Sequence, residues 1–170
     1  MRLAKEFFLQ DATDVAVQLL GKEIVRKFDD GTELRLTITE TEVYRGEEDL
    51  GCHASKGRTP RTEVMYWEGG YIYVYLVYGM YWLLNFVTGP EAHPQAVLIR
   101  ATDKADGPGK TGKILKLDKS FYGEDLTSSE RLFVDDTGKK NITYSRHPRV
   151  GIDYAGPKWS KILWRFKTDY

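Results

Sequence analysis

Residues 34–44 read LRLTITETEVY, and the alternation within them decides what the rest of the chain folds around. Leu34, Leu36 and Ile38 recur at every second position, the pattern of a strand with one buried face. The same parity continues through Glu40, Glu42 and Tyr44, so a regular strand turns from aliphatic to acidic on its core-facing side within two residues. A carboxylate held against apolar surface has its charged form disfavoured, which suits acid–base chemistry. The opposing reading ends the strand at Ile38 and leaves both glutamates in solvent. Paired carboxylates at Glu40 and Glu42 are also what glycoside hydrolysis requires.

EIVRKF (23–28) and the turn DDGTE (29–33) complete a β-hairpin with this strand. Before them, DATDVAVQLLG (11–21) predicts a short helix, capped by Asp11, stopped by Gly21, and apolar at Ala12, Val15, Ala16, Leu19 and Leu20. After it, residues 45–63 form a polar connection rich in glycine and charge, long enough to imply a binding role.

From Gly69 to Pro90 no charged residue occurs, a length sufficient for a membrane span. The Tyr, Val and Trp content with a central glycine fits strands better. Tyr71, Tyr73 and Tyr75 alternate with Ile72, Val74 and Leu76, WLLNFV (82–87) makes a second run, and VYGM (77–80) supplies the turn. The expectation is a hairpin with Tyr78 at its tip beside Gly79 and Met80. Tyr44, Tyr75 and Tyr78 are candidate stacking surfaces for bases, although a Tyr-rich strand pair also packs as an ordinary sheet face. Further on, QAVLIRA (95–101) predicts a strand, GPGKTGKILKL (107–117) a turn entering a short helix, and TSSERLF (127–133) a brief helical piece. The basic, aromatic C-terminal stretch is expected to close the sheet. GPGKTGK does not have the G-x-x-x-x-G-K-[ST] spacing, which excludes a phosphate-binding loop of that type.

The bulk composition adds boundaries. A chain of 170 residues with 41% hydrophobic and 29% charged content fits one soluble domain. Three histidines (His53, His93 and His147) and one cysteine, unclustered, argue against a structural zinc site. Cys52 alone forms no internal disulfide, which points to a reducing compartment. The net charge is zero, with an acidic excess in the first fifty residues and a basic excess after them, compatible with one basic face.

Several of these stretches occur in the order and spacing of one family. ETEVYRGEEDLGCH, GRTPRTEVMY, YIYVYLVYGMYWLLN, VLIRA and DGPGK resemble the motifs of the alkyladenine (3-methyladenine) DNA glycosylases, and LLGKEIVRKF and PRVGIDYAG extend the likeness over most of the chain. The resemblance implies a mixed α/β single domain over residues 1–170: a curved, mostly antiparallel β-sheet flanked by helices, with a protruding DNA-intercalating hairpin. It implies a monomeric base-excision repair enzyme, without metal or other cofactor, whose partner is duplex DNA holding a damaged purine. The bases released would be 3-methyladenine, 7-methylguanine, hypoxanthine or ethenoadenine. Glu42 corresponds to the carboxylate that activates water and Arg100 to the arginine that helps hold that water. Tyr44, His53 and Tyr75 correspond to the walls of the base pocket, and Asn85 to the residue that crowds the exocyclic amino group of guanine. Tyr78, with Met80 beside it, corresponds to the intercalating tip. Cys52 stands where Ser or Ala is usual, and Thr111 where Leu is common. No membrane association is expected. Such an enzyme works in the cytoplasm at the nucleoid in a bacterium or archaeon, and in the nucleus in a eukaryote. Two other classes stay open on the residues themselves: a non-catalytic damaged-DNA-binding protein, and a small nucleoside or glycoside hydrolase using Glu40 and Glu42.

Overall fold

The structure, a computed structural model, describes residues 1–169. Helices α1 (Lys5–Phe8) and α2 (Ala12–Leu19) lead into the hairpin β1 (Glu23–Lys27) and β2 (Glu33–Arg45). The connection after β2 carries 3-10 turns at His53–Lys56 and Glu63–Tyr66. Strands β3 (Ile72–Val77), β4 (Tyr81–Val87), β5 (Gln95–Thr102) and β6 (Ala105–Asp106) follow, then α3 (Pro108–Ile114) and β7 (Leu132–Asp135). The C-terminal part supplies β8 (Ser145–His147), α4 (Gly156–Lys161) and β9 (Arg165–Lys167). The main sheet runs β3-β4-β5-β2-β1-β7, antiparallel throughout, and β9 joins β2 as the C-terminal stretch returns to the sheet.

Helix α2 forms as its pattern dictates. The Asp11 carboxylate accepts the Thr13 N–H at 3.0 Å, and Ala12, Val15, Ala16 and Leu19 are buried against one face of the sheet. That face is aliphatic: Leu36, Ile38, Val43, Ile72, Val74, Leu84, Phe86, Val97 and Ile99 form one cluster with the helix. At about 25 cal/mol per Å² of apolar surface, such a cluster is the main favourable contribution to folding.

The strand parity read from residues 34–44 does not hold. Leu36 and Ile38 face α2, but so do Thr41, whose hydroxyl donates to Ala16 O at 3.0 Å, and Val43. Glu40, Glu42 and Tyr44 point to the opposite face. The slip lies between Ile38 and Thr41, where the pairing with β5 is irregular: Ile38 opposes Thr102, Glu40 opposes Ala101 and Thr41 opposes Ile99. One edge of β2 is held by β1 over residues 33–37 and by β9 over residues 40–42, and the irregularity sits at this handover. A one-residue slip exchanges the faces of every later side chain. The glutamates therefore do not interrupt the aliphatic core; they belong to the other side.

The uncharged stretch forms the antiparallel pair β3–β4, with Val77 opposite Tyr81 and the tip at residues 78–80. Among the described residues no helix is long and apolar enough to cross a membrane. At the tip Tyr78 (φ 52°) and Gly79 (φ 65°) both have positive φ, as a type I′ turn requires. Gly112 of α3 lets the helix meet the hairpin backbone: a Cβ there would lie 1.9 Å from Trp82 O. The helical piece expected near residues 127–133 is absent. The Asp125 carboxylate accepts from the Thr127 N–H and hydroxyl, which makes a turn, and Leu132–Asp135 pairs with β1 as β7.

Candidate active site

The face of the sheet opposite α2 floors a cavity of about 440 Å³, within the range of small-ligand sites. Alternate residues of the strands supply the floor: Glu42 and Tyr44 from β2, Tyr73 and Tyr75 from β3, Leu83 and Asn85 from β4, and Leu98 and Arg100 from β5. His53 and Met65 come from the long connection, Pro108 and Gly109 from the start of α3, and Val150, Gly151, Ile152 and Tyr154 from the C-terminal part. The structure thus brings Glu42, Arg100, Tyr44, His53, Tyr75 and Asn85 into one cavity.

Glu42 has no exposed surface. Its Oε1 accepts the Tyr44 hydroxyl at 3.0 Å and its Oε2 the Val150 N–H at 2.7 Å. Arg100 Nη1 stands 3.7 Å from Oε1. Burial raises the Glu42 carboxyl above the ordinary glutamate range, opposed by the Arg100 charge and by the Val150 and Tyr44 donors. Glu40, two residues earlier on the same face, is held differently. Arg100 Nε lies 2.8 Å from its Oε1 and Arg165 Nη1 3.7 Å. The two carboxylates thus do not form an equivalent pair, because one is neutralised by guanidinium groups and the other is bonded mainly by neutral donors.

The walls are aromatic. His53 and Tyr75 meet edge to face with ring centroids 4.5 Å apart, and Arg61 lies 5.3 Å from the Tyr75 ring. His53 Nδ1 shares a 2.8 Å hydrogen bond with the buried Tyr73 hydroxyl. Burial, with the nearby Arg61 and Lys56 charges, lowers His53 to about 4, so its ring is neutral near pH 7. Burial raises the Tyr44 and Tyr75 phenols, with the Glu42 charge adding to it, and both stay protonated. Asn85 is 2% exposed, and its Nδ2 donates to Tyr73 O at 3.2 Å, which fixes the side chain on the floor. At the rim Tyr78 is 89% exposed and Met80 56%, so the tip contributes little to the core. Cys52 packs beneath the wall with Met65 and Tyr73, and burial pushes its thiol up to about 12. Thr111 turns inward, its hydroxyl donating to Gly107 O at 2.9 Å.

With this geometry, sequence likeness covers the whole cavity. Residues 6–169 match the methylpurine-DNA glycosylase family. The chain belongs to that family. It is 40% identical to a provisionally named 3-methyladenine DNA glycosylase of Natranaerobius thermophilus, over 98% of this chain and 94% of that protein. Proteins with the same provisional name from Legionella pneumophila (strain Lens) and Rickettsia felis are 40% and 42% identical, over 97% and 96% of this chain and 93% and 91% of theirs.

Several residues in and behind the cavity of this DNA glycosylase family member escape a reading of local pattern. Val150 contributes a backbone amide, which no side-chain motif announces. Tyr73 looks like one more alternating strand residue. Arg149 and Asp49 form a fully buried ion pair at 2.6 Å, although they stand in surface-like polar stretches of the sequence. The only signal for these positions is that EEDLG and PRVGIDYAG are among the stretches that resemble the family.

Proposed function

We propose that the chain is a monofunctional DNA glycosylase that hydrolyses the N-glycosidic bond of alkylated or deaminated purines flipped out of duplex DNA, leaving an abasic site. The observation that carries this reading is a fully buried carboxylate, Glu42, on the floor of an aromatic cavity with an exposed Tyr78 at its rim. A base inside a duplex is out of reach of any such floor, so the nucleotide has to leave the stack at a cost of a few kcal/mol. Tyr78 fills the gap behind it, with Met80 alongside. Tyr44, His53 and Tyr75 enclose the base. Asn85, pinned to the Tyr73 carbonyl, opposes the edge where guanine carries an amino group and hypoxanthine only hydrogen.

Ionised Glu42 takes a proton from a water whose oxygen attacks the sugar carbon, and the bonding pair of the broken C–N bond leaves with the purine. As that bond breaks, before the proton is transferred, positive charge develops on the sugar, and the still-ionised carboxylate stabilises it in a poorly solvated site. Arg100, shared between Glu40 and Glu42, orients the water and favours the ionised form of Glu42 against the effect of burial. The reaction has no covalent enzyme intermediate, hence no strand cleavage of its own.

Duplex DNA with one hypoxanthine tests this. Strand breaks are expected only after alkali treatment. Tight binding without alkali-labile breaks would make the protein a damage-binding module, and inertness toward DNA would favour a small glycoside as substrate.

A further inference from the structure

We infer that Arg149 and Asp49 are positioning residues for Glu42, a single buried guanidinium fixing both the strand that carries the carboxylate and the amide that binds it. The inference rests on reading Glu42 as the general base. Both side chains are wholly buried. Arg149 Nη1 donates to Asp49 Oδ2 at 2.6 Å and to Val43 O at 3.0 Å, the residue after Glu42. Its Nη2 donates to Asp49 Oδ1 at 2.9 Å and to Trp159 O at 3.2 Å. The next residue along, Val150, gives its N–H to Glu42 Oε2. The guanidinium carbon lies 5.0 Å from the ring centroid of Tyr44, whose hydroxyl donates to Glu42 Oε1, and 5.1 Å from that of Trp164. Asp49 in turn accepts the Arg45 and Gly51 N–H groups, tying in the far end of β2 and the long connection.

Three routes therefore run from one cation to one carboxylate: through Val43, through Val150 and through the Tyr44 ring. A buried ion pair costs desolvation that apolar side chains of the same volume avoid, so stability alone is a weak reason to keep it. Aliphatic residues could fill the space; they could not aim an amide and a phenol at the two oxygens of Glu42. The other groups facing Glu42 are Tyr75 from β3, Arg100 from β5 and Arg165 from β9, and none of them touches Arg149 by a hydrogen bond. Loss of the clamp withdraws donors from the ionised carboxylate and leaves its burial in place.

Arg149→Lys keeps the charge but cannot reach four acceptors while standing beside two rings. Single-turnover base excision at saturating enzyme, followed from about pH 5 to 8, reads its effect. The acid limb should move to higher pH. The variant then excises about 10-fold more slowly on the acid side, as expected for losing a hydrogen bond to a charged acceptor. Its rate should approach wild type at alkaline pH, with DNA binding unchanged. An equal loss at every pH, or no loss, would overturn the inference and leave a structural ion pair. Asp49→Asn, which preserves the shape of the pair, is read in the same way and decides the matter if Arg149→Lys does not fold. Wild type and Glu42→Gln run alongside. If wild type releases no base, or Glu42→Gln still does, it is the reading of the site that fails.

Discussion

The two faces of the central sheet are made from alternate residues of the same strands, yet they do opposite things. Toward α2 lie Ile72, Val74, Leu84, Phe86, Val97 and Ile99, each at most 2% exposed and all aliphatic or Phe. Toward the cavity lie Tyr73, Tyr75, Leu83, Asn85, Leu98 and Arg100, with Glu42 and Tyr44 beside them. The first face gains stability from burial with few polar groups to satisfy. The second buries a carboxylate and an amide, groups that cost free energy unless bonded, and draws their partners from the same strand, from neighbouring strands and from the C-terminal part. One face holds the fold, and the other is held by it.

Substitutions on the two faces should therefore separate. The largest effect is expected for Glu42→Gln, which keeps shape but removes the base: single-turnover excision should fall by about 10²–10⁴-fold while DNA affinity stays. A loss of only a few-fold would shift suspicion to Glu40. On the other face Ile99→Ala should cost about 2–5 kcal/mol of unfolding free energy, read by denaturant titration, with excision by the folded fraction unchanged. If instead it altered the rate while sparing stability, the division between the faces would be broken.

The tip should obey neither rule. Tyr78 is exposed, and the turn that forms the tip holds it in a left-handed backbone that disfavours any residue with a Cβ. Tyr78→Ala should leave the melting temperature unaltered and lower excision from well-paired lesions by roughly 5- to 150-fold, the worth of one stacked aromatic. The loss should shrink for mispaired or single-stranded substrates, and 2-aminopurine fluorescence beside the lesion would follow extrusion directly. Asn85→Ser should raise excision of unmodified guanine relative to hypoxanthine by about 10-fold; an unaltered ratio would remove Asn85 from the selection of bases.

The smallest effect is one of pH. Because Glu42 is raised by burial and acts ionised, the rate should fall as pH drops through a value above the ordinary glutamate one of about 4.3. His53, held neutral down to about 4, should add no inflection in the usual histidine range. A break near pH 6.5 that disappears in His53→Gln would contradict the buried, neutral ring.

Much of this was legible in the chain itself. The helix at Ala12–Leu19 follows from its spacing and the Asp11 cap, and the β3–β4 hairpin from alternation around a glycine turn, because these depend on neighbours a few residues away. The candidate site residues could be named because long stretches resemble one family, whereas the strand pattern alone misjudged their side. Period-2 reasoning holds only while a strand is regular, and β2 slips where β1 hands its edge to β9, strands from opposite ends of the sequence. Tertiary pairing decided that Glu40 is occupied by Arg100 and Arg165 and that Glu42 is held by Tyr44 and Val150. It also decided that Asp49 and Arg149, 100 residues apart, lie buried together behind the carboxylate. Local sequence sets which elements form; which face a side chain takes, and who stands beside it, is fixed only when distant strands close on one another.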